Sequence, residues 1–199
     1  MFVQIIEGQT RDAEGVRRQG ERWLSELRPG AAGFVGLTSG ASADGRTITI
    51  ACFESEAAAR ANSDRPEQGA WWAETAKHYD GEAGFTETSD VQEMLGGPSS
   101  KAAFVQIMRS RGVDRDAVAR LDELFAEYSP SRPEIIGLLR CWTGPDTCVE
   151  AAYFTTEAAA RAGEQREMPA ELQAAMAESP DSMGTTEFLD LIDALVFRS

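Results

Sequence analysis

Histidine is almost missing from this chain: His78 is the only one in 199 residues. Cysteine is scarce too, and Cys52, Cys141 and Cys148 show no C-x-x-C spacing. A structural zinc site takes four nitrogen or sulfur ligands, so no metal site is expected. Three thiols without an export signal read as reduced and buried, the pattern of a cytoplasmic protein. The start, Met1-Phe2-Val3-Gln4-Ile5-Ile6-Glu7, lacks a basic region followed by a long apolar core, so no secretory signal peptide is expected. No run reaches the roughly 20 apolar residues that cross a bilayer. Cationic residues are few, 19 Lys and Arg against 33 Asp and Glu, for a formal net charge of −14. That balance excludes nucleic acid and anionic membrane surfaces as partners, because both need their phosphates neutralised. Also missing are G-x-S-x-G, H-E-x-x-H, a phosphate-binding glycine loop and a dinucleotide fingerprint. A Ser-His-Asp triad would have to use His78, and no serine is marked as its partner.

What the chain does contain is itself, twice. Phe53-Glu54-Ser55-Glu56-Ala57-Ala58-Ala59-Arg60-Ala61 returns as Phe154-Thr155-Thr156-Glu157-Ala158-Ala159-Ala160-Arg161-Ala162, a shift of 101. In each copy a β-rich run ends at an aromatic residue, and Ser55 or Thr156 can cap a helix that begins with Glu. The hydroxyl accepts from a free N–H and the carboxylate sits at the positive end of the helix dipole. Phe104-Val105-Gln106-Ile107-Met108 likewise echoes Phe2-Val3-Gln4-Ile5-Ile6 at a shift of 102. Recurrence at a fixed period is the mark of a repeated structural unit.

Each unit reads β-α-β-β-α-β. The first has strands over Phe2 to Glu7, Gly33 to Ser39 and Arg46 to Phe53. Its helices run from Arg11-Asp12 to Arg28 and from Glu67 to Tyr79, with the short Ala-rich helix before Pro66, and its last strand begins at Phe85 to Thr88. The division is 1–96, a linker at 97–102, and 103–199, because Gly96-Gly97-Pro98-Ser99-Ser100 is a flexible break. Such a unit makes a ferredoxin-like α+β layer, an antiparallel sheet with both helices on one face. Its strands are apolar on both sides, Ile48, Ile50 and Cys52 against Ala51 and Phe53. Two-sided burial follows, and the second copy is the simplest cover, sheet against sheet with helices outside.

In element order, repeat length and the aromatic-x-x-Glu-Ala-Ala junction, the chain resembles the dimeric α+β barrel superfamily of antibiotic-biosynthesis and haem-degrading monooxygenases. There two subunits build the barrel; here one chain would supply both as an intramolecular pseudo-dimer, and whole barrels could pair further as a homodimer. The resemblance implies a small apolar or aromatic molecule as partner. It also implies cofactor-independent oxygen chemistry, in which the substrate itself supplies the electrons. The competing readings are a non-catalytic ligand-binding or stress-related protein and a purely structural module.

Candidate residues follow from position. Gln4 and Gln106 hold the same place on the two first strands, and the resemblance implies that a polar residue there faces a substrate cavity. The alternative is an amide satisfied by its neighbours. Trp72 and Tyr79 fall on one helical stripe, Trp71 and His78 on the next, as ligand box or as core. Glu171, Leu172, Glu178 and Ser179 stand at the matching places in the second half. His78 is a natural base near neutral pH, or a helix-end residue favoured by the dipole. The haem-degrading pattern of a first-strand Asn with a spaced Trp and His is not reproduced, since Gln4 stands in the Asn place and the Trp-to-His spacing differs, so no cofactor is expected. In the second half a turn centred on Pro145 sets Arg140 across from Glu150, where Ser39 and Thr49 stand in the first half. The pair is structural, or with Trp142 and Gln106 it recognises a carboxylate or phenolate.

Overall fold

The structure, a computed structural model, describes residues 1–178 and 184–199. Ser179 therefore lies outside the described residues. The first half runs β1 (Phe2–Gln9), α1 (Ala13–Arg22), β2 (Phe34–Ala41), β3 (Arg46–Phe53), α2 (Glu56–Ser63), α3 (Pro66–Thr75), β4 (Gly84–Thr88) and β5 (Val91–Met94). The second runs β6 (Phe104–Arg111), α4 (Arg115–Tyr128), β7 (Ile135–Trp142), β8 (Thr147–Phe154), α5 (Glu157–Glu164), α6 (Ala170–Glu178) and β9 (Thr185–Arg198). The repeated junction behaves alike in both. Ser55 Oγ accepts from the Ala58 N–H at 3.2 Å and Thr156 Oγ1 from the Ala159 N–H at 3.1 Å, each from extended backbone. A hydroxyl in that place satisfies one of the N–H groups that a helix start leaves free.

The two sheets do not simply face each other; they are one sheet, in the order β4-β1-β3-β2-β9-β6-β8-β7-β5. The outermost strands, β4 and β5, are consecutive in the chain, so the sheet curls nearly shut. The seam is tied where the Thr88 hydroxyl donates to the Trp142 carbonyl at 2.6 Å and the Trp142 N–H donates to the Asp90 carbonyl at 2.9 Å. The final strand of each half thus serves both. β4 pairs with β1 while β5 pairs with β7, and β9 pairs with β6 as far as Leu191 and with β2 from Ile192 onward. At the crossing, Asp193 and Ala194 stand opposite Gly40 alone, a bulge in which Asp193 takes φ 46°. One extra residue reverses which side chains face inward, so Leu189 and Leu191 point into the barrel before it and Ala194 and Val196 after it.

The barrel interior is apolar and shared. Val3, Ile5, Ile48, Ile50 and Cys52 from the first half meet Val105, Ile107, Leu139, Cys141 and Tyr153 from the second, all 3 % exposed or less. The Tyr153 phenol, inside this core, shares a 2.6 Å hydrogen bond with the Thr38 hydroxyl of the other half. An unpaired hydroxyl there would cost about 1–3 kcal/mol. Towards one end, Glu7 and Arg109 pair at 2.8 Å across the halves. Helices cover the outer faces, over Phe2, Phe34 and Phe53 in one half and Phe104, Leu138 and Phe154 in the other.

Candidate functional site

Between the outer face of β1-β3-β2 and the helices α1 and α3 the first half keeps a cavity. Its floor is Gln4, Ser39, Thr49 and Ala51; its walls include Trp23, Trp71, Trp72 and Tyr79, and Gly20 of α1 offers no side chain to fill it. The free space is about 70 Å³, about half of the 150 Å³ that holds a benzene ring in an engineered cavity. A benzene-sized ring would fit there only with an aromatic wall displaced.

Those walls have local causes. After Arg22, α1 widens into a π-helical turn, Trp23–Leu27, a form that recurs at functional sites and has no counterpart in α4. It presents Trp23, 6 % exposed, whose indole N–H donates to Gln68 Oε1 of α3 at 2.6 Å. The Trp71 indole N–H donates to the Gln19 carbonyl at 2.9 Å. Trp72 lies edge-on to Phe85 of β4, ring centres 5.1 Å apart, with Tyr79 at 6.0 Å. Tyr79 crosses Gly8, where a Cβ would stand 2.5 Å from the ring, so a larger residue would push the tyrosine out. Burial pushes the Tyr79 phenol above its ordinary pKa, with a hydrogen bond to Thr47 opposing, so it stays protonated at neutral pH.

Of the residues singled out in the first half, Gln4, Trp72 and Tyr79 meet at this cavity. Gln4 Nε2 donates to Glu87 Oε1 of β4 at 2.9 Å, and Arg60 of α2 donates to the same carboxylate. The Ser39 and Thr49 hydroxyls bond to each other at 2.7 Å. His78 is placed elsewhere. Its Nδ1 sits 2.7 Å from Asp12 Oδ2, while Asp12 Oδ1 caps α1 by accepting from the Gly15 N–H at 2.8 Å. The imidazole pins the start of α1 to the end of α3 and does not line the cavity. The Asp12 carboxyl is held below its usual value by that hydrogen bond and then by the Gly15 N–H.

In the second half the floor of the corresponding space is filled, and a cleft remains farther out between α4 and α6, beside Leu124, Pro169 and Leu172. Arg140, directly opposite Glu150 in the β7–β8 ladder, donates through Nε to Glu150 Oε2 at 2.6 Å. Through Nη1 and Nη2 it forks onto Asp122 of α4 at 2.5 and 3.0 Å. Burial pushes the Glu150 carboxyl above its ordinary value, against the pull of Arg140. Gln106 donates to Asp190 at 2.9 Å, and Asp190 is paired with Arg161, the counterpart of the Gln4–Glu87–Arg60 chain. Trp142, 6 % exposed, packs with Val113, Val118 and Cys148 and carries the Arg115 guanidinium 4.1 Å above its ring. Gln106, Arg140, Trp142 and Glu150 thus share one covered face, but as a packed and ion-paired layer. In the sequence Trp23 reads only as part of the apolar side of the first helix, and Gly20, Glu87 and Asp122 carry no mark of a site. The shift of 102 that equates Gly20 with Asp122 was in the sequence, but nothing local marked either residue.

By sequence, no protein family and no curated protein matches the chain. By structure it is similar over its length to several solved proteins. A candidate monooxygenase from Lactobacillus acidophilus aligns at TM-score 0.71 and 13 % identity, over 98 % of each chain. One from Fusobacterium nucleatum aligns at 0.77 and 8 %, over 100 % of this chain and 94 % of the other. An anthrone oxidase-like protein aligns at 0.64 and 10 %, over 98 % and 92 %. At such identities the likeness speaks for the fold: the chain has the dimeric α+β barrel fold, with both halves of the barrel drawn from one polypeptide.

Proposed function

We propose that the first-half cavity binds a small, flat, apolar or phenolic molecule and serves cofactor-independent monooxygenation of it. The observation that carries this reading is the cavity itself: Trp23 on a π-helical turn, with Trp71, Trp72 and Tyr79 from α3 and the turn after it, walls a floor with one amide and one hydroxyl pair. The named activities of the structural neighbours, monooxygenase and anthrone oxidase-like, support the same choice of chemistry. For an activated methylene the reaction balances as one methylene and one dioxygen giving one carbonyl and one water. The substrate supplies all four electrons; one oxygen atom enters the carbonyl and the other leaves as water with both methylene hydrogens. Gln4 would orient the oxygen function, and Trp72 and Tyr79 would exclude water from the ring. His78 would act by holding α1 and α3 in place. Gln106, Arg140, Trp142 and Glu150 belong in this reading to the supporting half.

The test is oxygen uptake with anthrone and with dihydroxynaphthalenes in metal-chelated buffer, with quinone formation followed in parallel. Uptake that falls at least tenfold in Trp72→Ala and Gln4→Ala supports the reading; the same rate in both variants as in the parent protein overturns it.

One observation favours a second reading, ligand binding without turnover. Among the described residues lining the cavity there is no carboxylate and no imidazole to take a proton from the substrate. Ligand-dependent thermal stabilisation without oxygen consumption would decide for it. We also read the chain as units 1–96 and 103–199 about a linker, as cytoplasmic, and as able to pair barrel to barrel.

A further inference from the structure

We propose that Glu87, held by Arg60, fixes the polarity of the Gln4 amide, so that the cavity accepts a hydrogen bond and selects ligands with an O–H or N–H donor over those with an acceptor alone. This rests on the binding reading above and deepens it.

The argument starts from the amide. A glutamine side chain presents an acceptor on one side and two N–H donors on the other, and its orientation follows from its partners. Gln4 and Glu87 face each other across the β1–β4 ladder, with Gln4 Nε2 2.9 Å from Glu87 Oε1. An ionised carboxylate only accepts, so the reverse orientation would set two oxygens against each other. Arg60 donates to both Glu87 oxygens and keeps the group charged, and it also reaches Glu56 at 3.5 Å. The hydrogen bond from Gln4 and the guanidinium of Arg60 hold the Glu87 carboxyl below its ordinary value. One of the two amide N–H groups is thereby committed to β4, which turns Oε1 away from Glu87, and among the described residues no donor reaches Gln4 Oε1. That oxygen is the acceptor left to a ligand in the space beside it. The Ser39–Thr49 pair does not discriminate, because two hydroxyls sharing one hydrogen bond retain both a donor and an acceptor. The wall amides Asn62 and Gln68, their oxygens held by Arg65 and Trp23, keep N–H donors whatever stands at position 87, so only the Gln4 contribution depends on Glu87.

Glu87 is therefore a positioning residue: it touches no ligand and acts through Gln4. The second half holds the same arrangement in Gln106, Asp190 and Arg161, but Gln106 is packed at 8 % exposure. The charge chain is common to both halves, and in the first its glutamine lines the cavity.

The experiment compares phenol with anisole, rings of similar size of which only phenol donates, by calorimetric titration of the full chain. The parent protein should bind phenol about tenfold more tightly, the scale of one well-made hydrogen bond. In Glu87→Gln the Arg60 guanidinium still draws the side-chain oxygen at this position. The N–H of the substituted amide then turns to Gln4, and the Gln4 amide reverses. The preference should fall to twofold or less, or change sign, with anisole affinity retained. A lost fold would remove both affinities together. The parent protein provides a second route that needs no variant. Phenol stays neutral throughout acid titration, so as pH falls below 4.5 and Glu87 takes up a proton, the preference should decline. The Arg60 guanidinium and Gln4 do not titrate in that range, and Glu56 meets only Arg60. A parent protein indifferent to the choice of ring, or a tenfold preference that survives in Glu87→Gln and at low pH, overturns the proposal. If neither ring binds at all, the cavity reading itself fails and takes this inference with it.

Discussion

The two halves follow the same plan and finish it differently. At three places under the helices the first half has Gly20, Ser39 and Thr49, and the second has Asp122, Arg140 and Glu150, shifts of 102, 101 and 101. The small set leaves space beneath aromatic walls; the large set closes that space with a shared guanidinium. A buried guanidinium between two carboxylates is costly to desolvate and is held by its mutual hydrogen bonds. So one half keeps a cavity over its sheet and the other closes that place with charge. The lesson is that helix placement alone does not make a pocket. Three side chains on three elements do.

This contrast can be broken from either side. The largest effect is expected from Arg140→Ala, which leaves two carboxylates facing each other under α4 and should cost about 3–5 kcal/mol in denaturant unfolding. Loss of less than about 1 kcal/mol would show that the cluster does not hold the second half. Replacing all three charges together, Asp122→Leu, Arg140→Met and Glu150→Leu, should be neutral or stabilising by as much as about 4 kcal/mol, because no charge is left unpaired. Filling the open half by Ser39→Leu adds bulk and takes the partner from the Thr49 hydroxyl, so it should cost about 1–3 kcal/mol, yet reduce ligand affinity at least tenfold; unaltered binding would place the ligand elsewhere. The smallest effect is at the junction the halves share. Ser55→Ala and Thr156→Ala should each cost about 1 kcal/mol, and a clear inequality would mean that the two caps carry different loads.

Much of the fold could be read from periodicity. The junction at Ser55 and Thr156, the alternation that sends Ile48, Ile50 and Cys52 one way and Ala51 and Phe53 the other, and the pairing of Arg140 with Glu150 are local patterns, and local patterns survive in a sequence. The exchange of last strands was not legible. It depends on β9 crossing from β6 to β2 through a one-residue bulge at Asp193, and a bulge in a single strand has no reliable sequence mark. The site was legible in part. Gln4, Trp72 and Tyr79 stood out as a polar residue among apolar ones and as aromatics at helical spacing. His78 drew notice because it is alone, but its partner Asp12 lies 66 positions away and only folding brings them to 2.7 Å.

By itself the sequence determined that the chain repeats a β-α-β-β-α-β order, that its strands are apolar on both faces, and that it carries a net charge of −14. Those are consequences of spacing, polarity and net charge, which each residue carries along the chain. Only the tertiary structure decided that the sheets merge into one, that a cavity opens over Gln4, and that Gln4 turns an N–H toward Glu87. Each of these depends on side chains from separate elements meeting within a few ångströms, and the distance between two residues in space is not written in the distance between them in sequence.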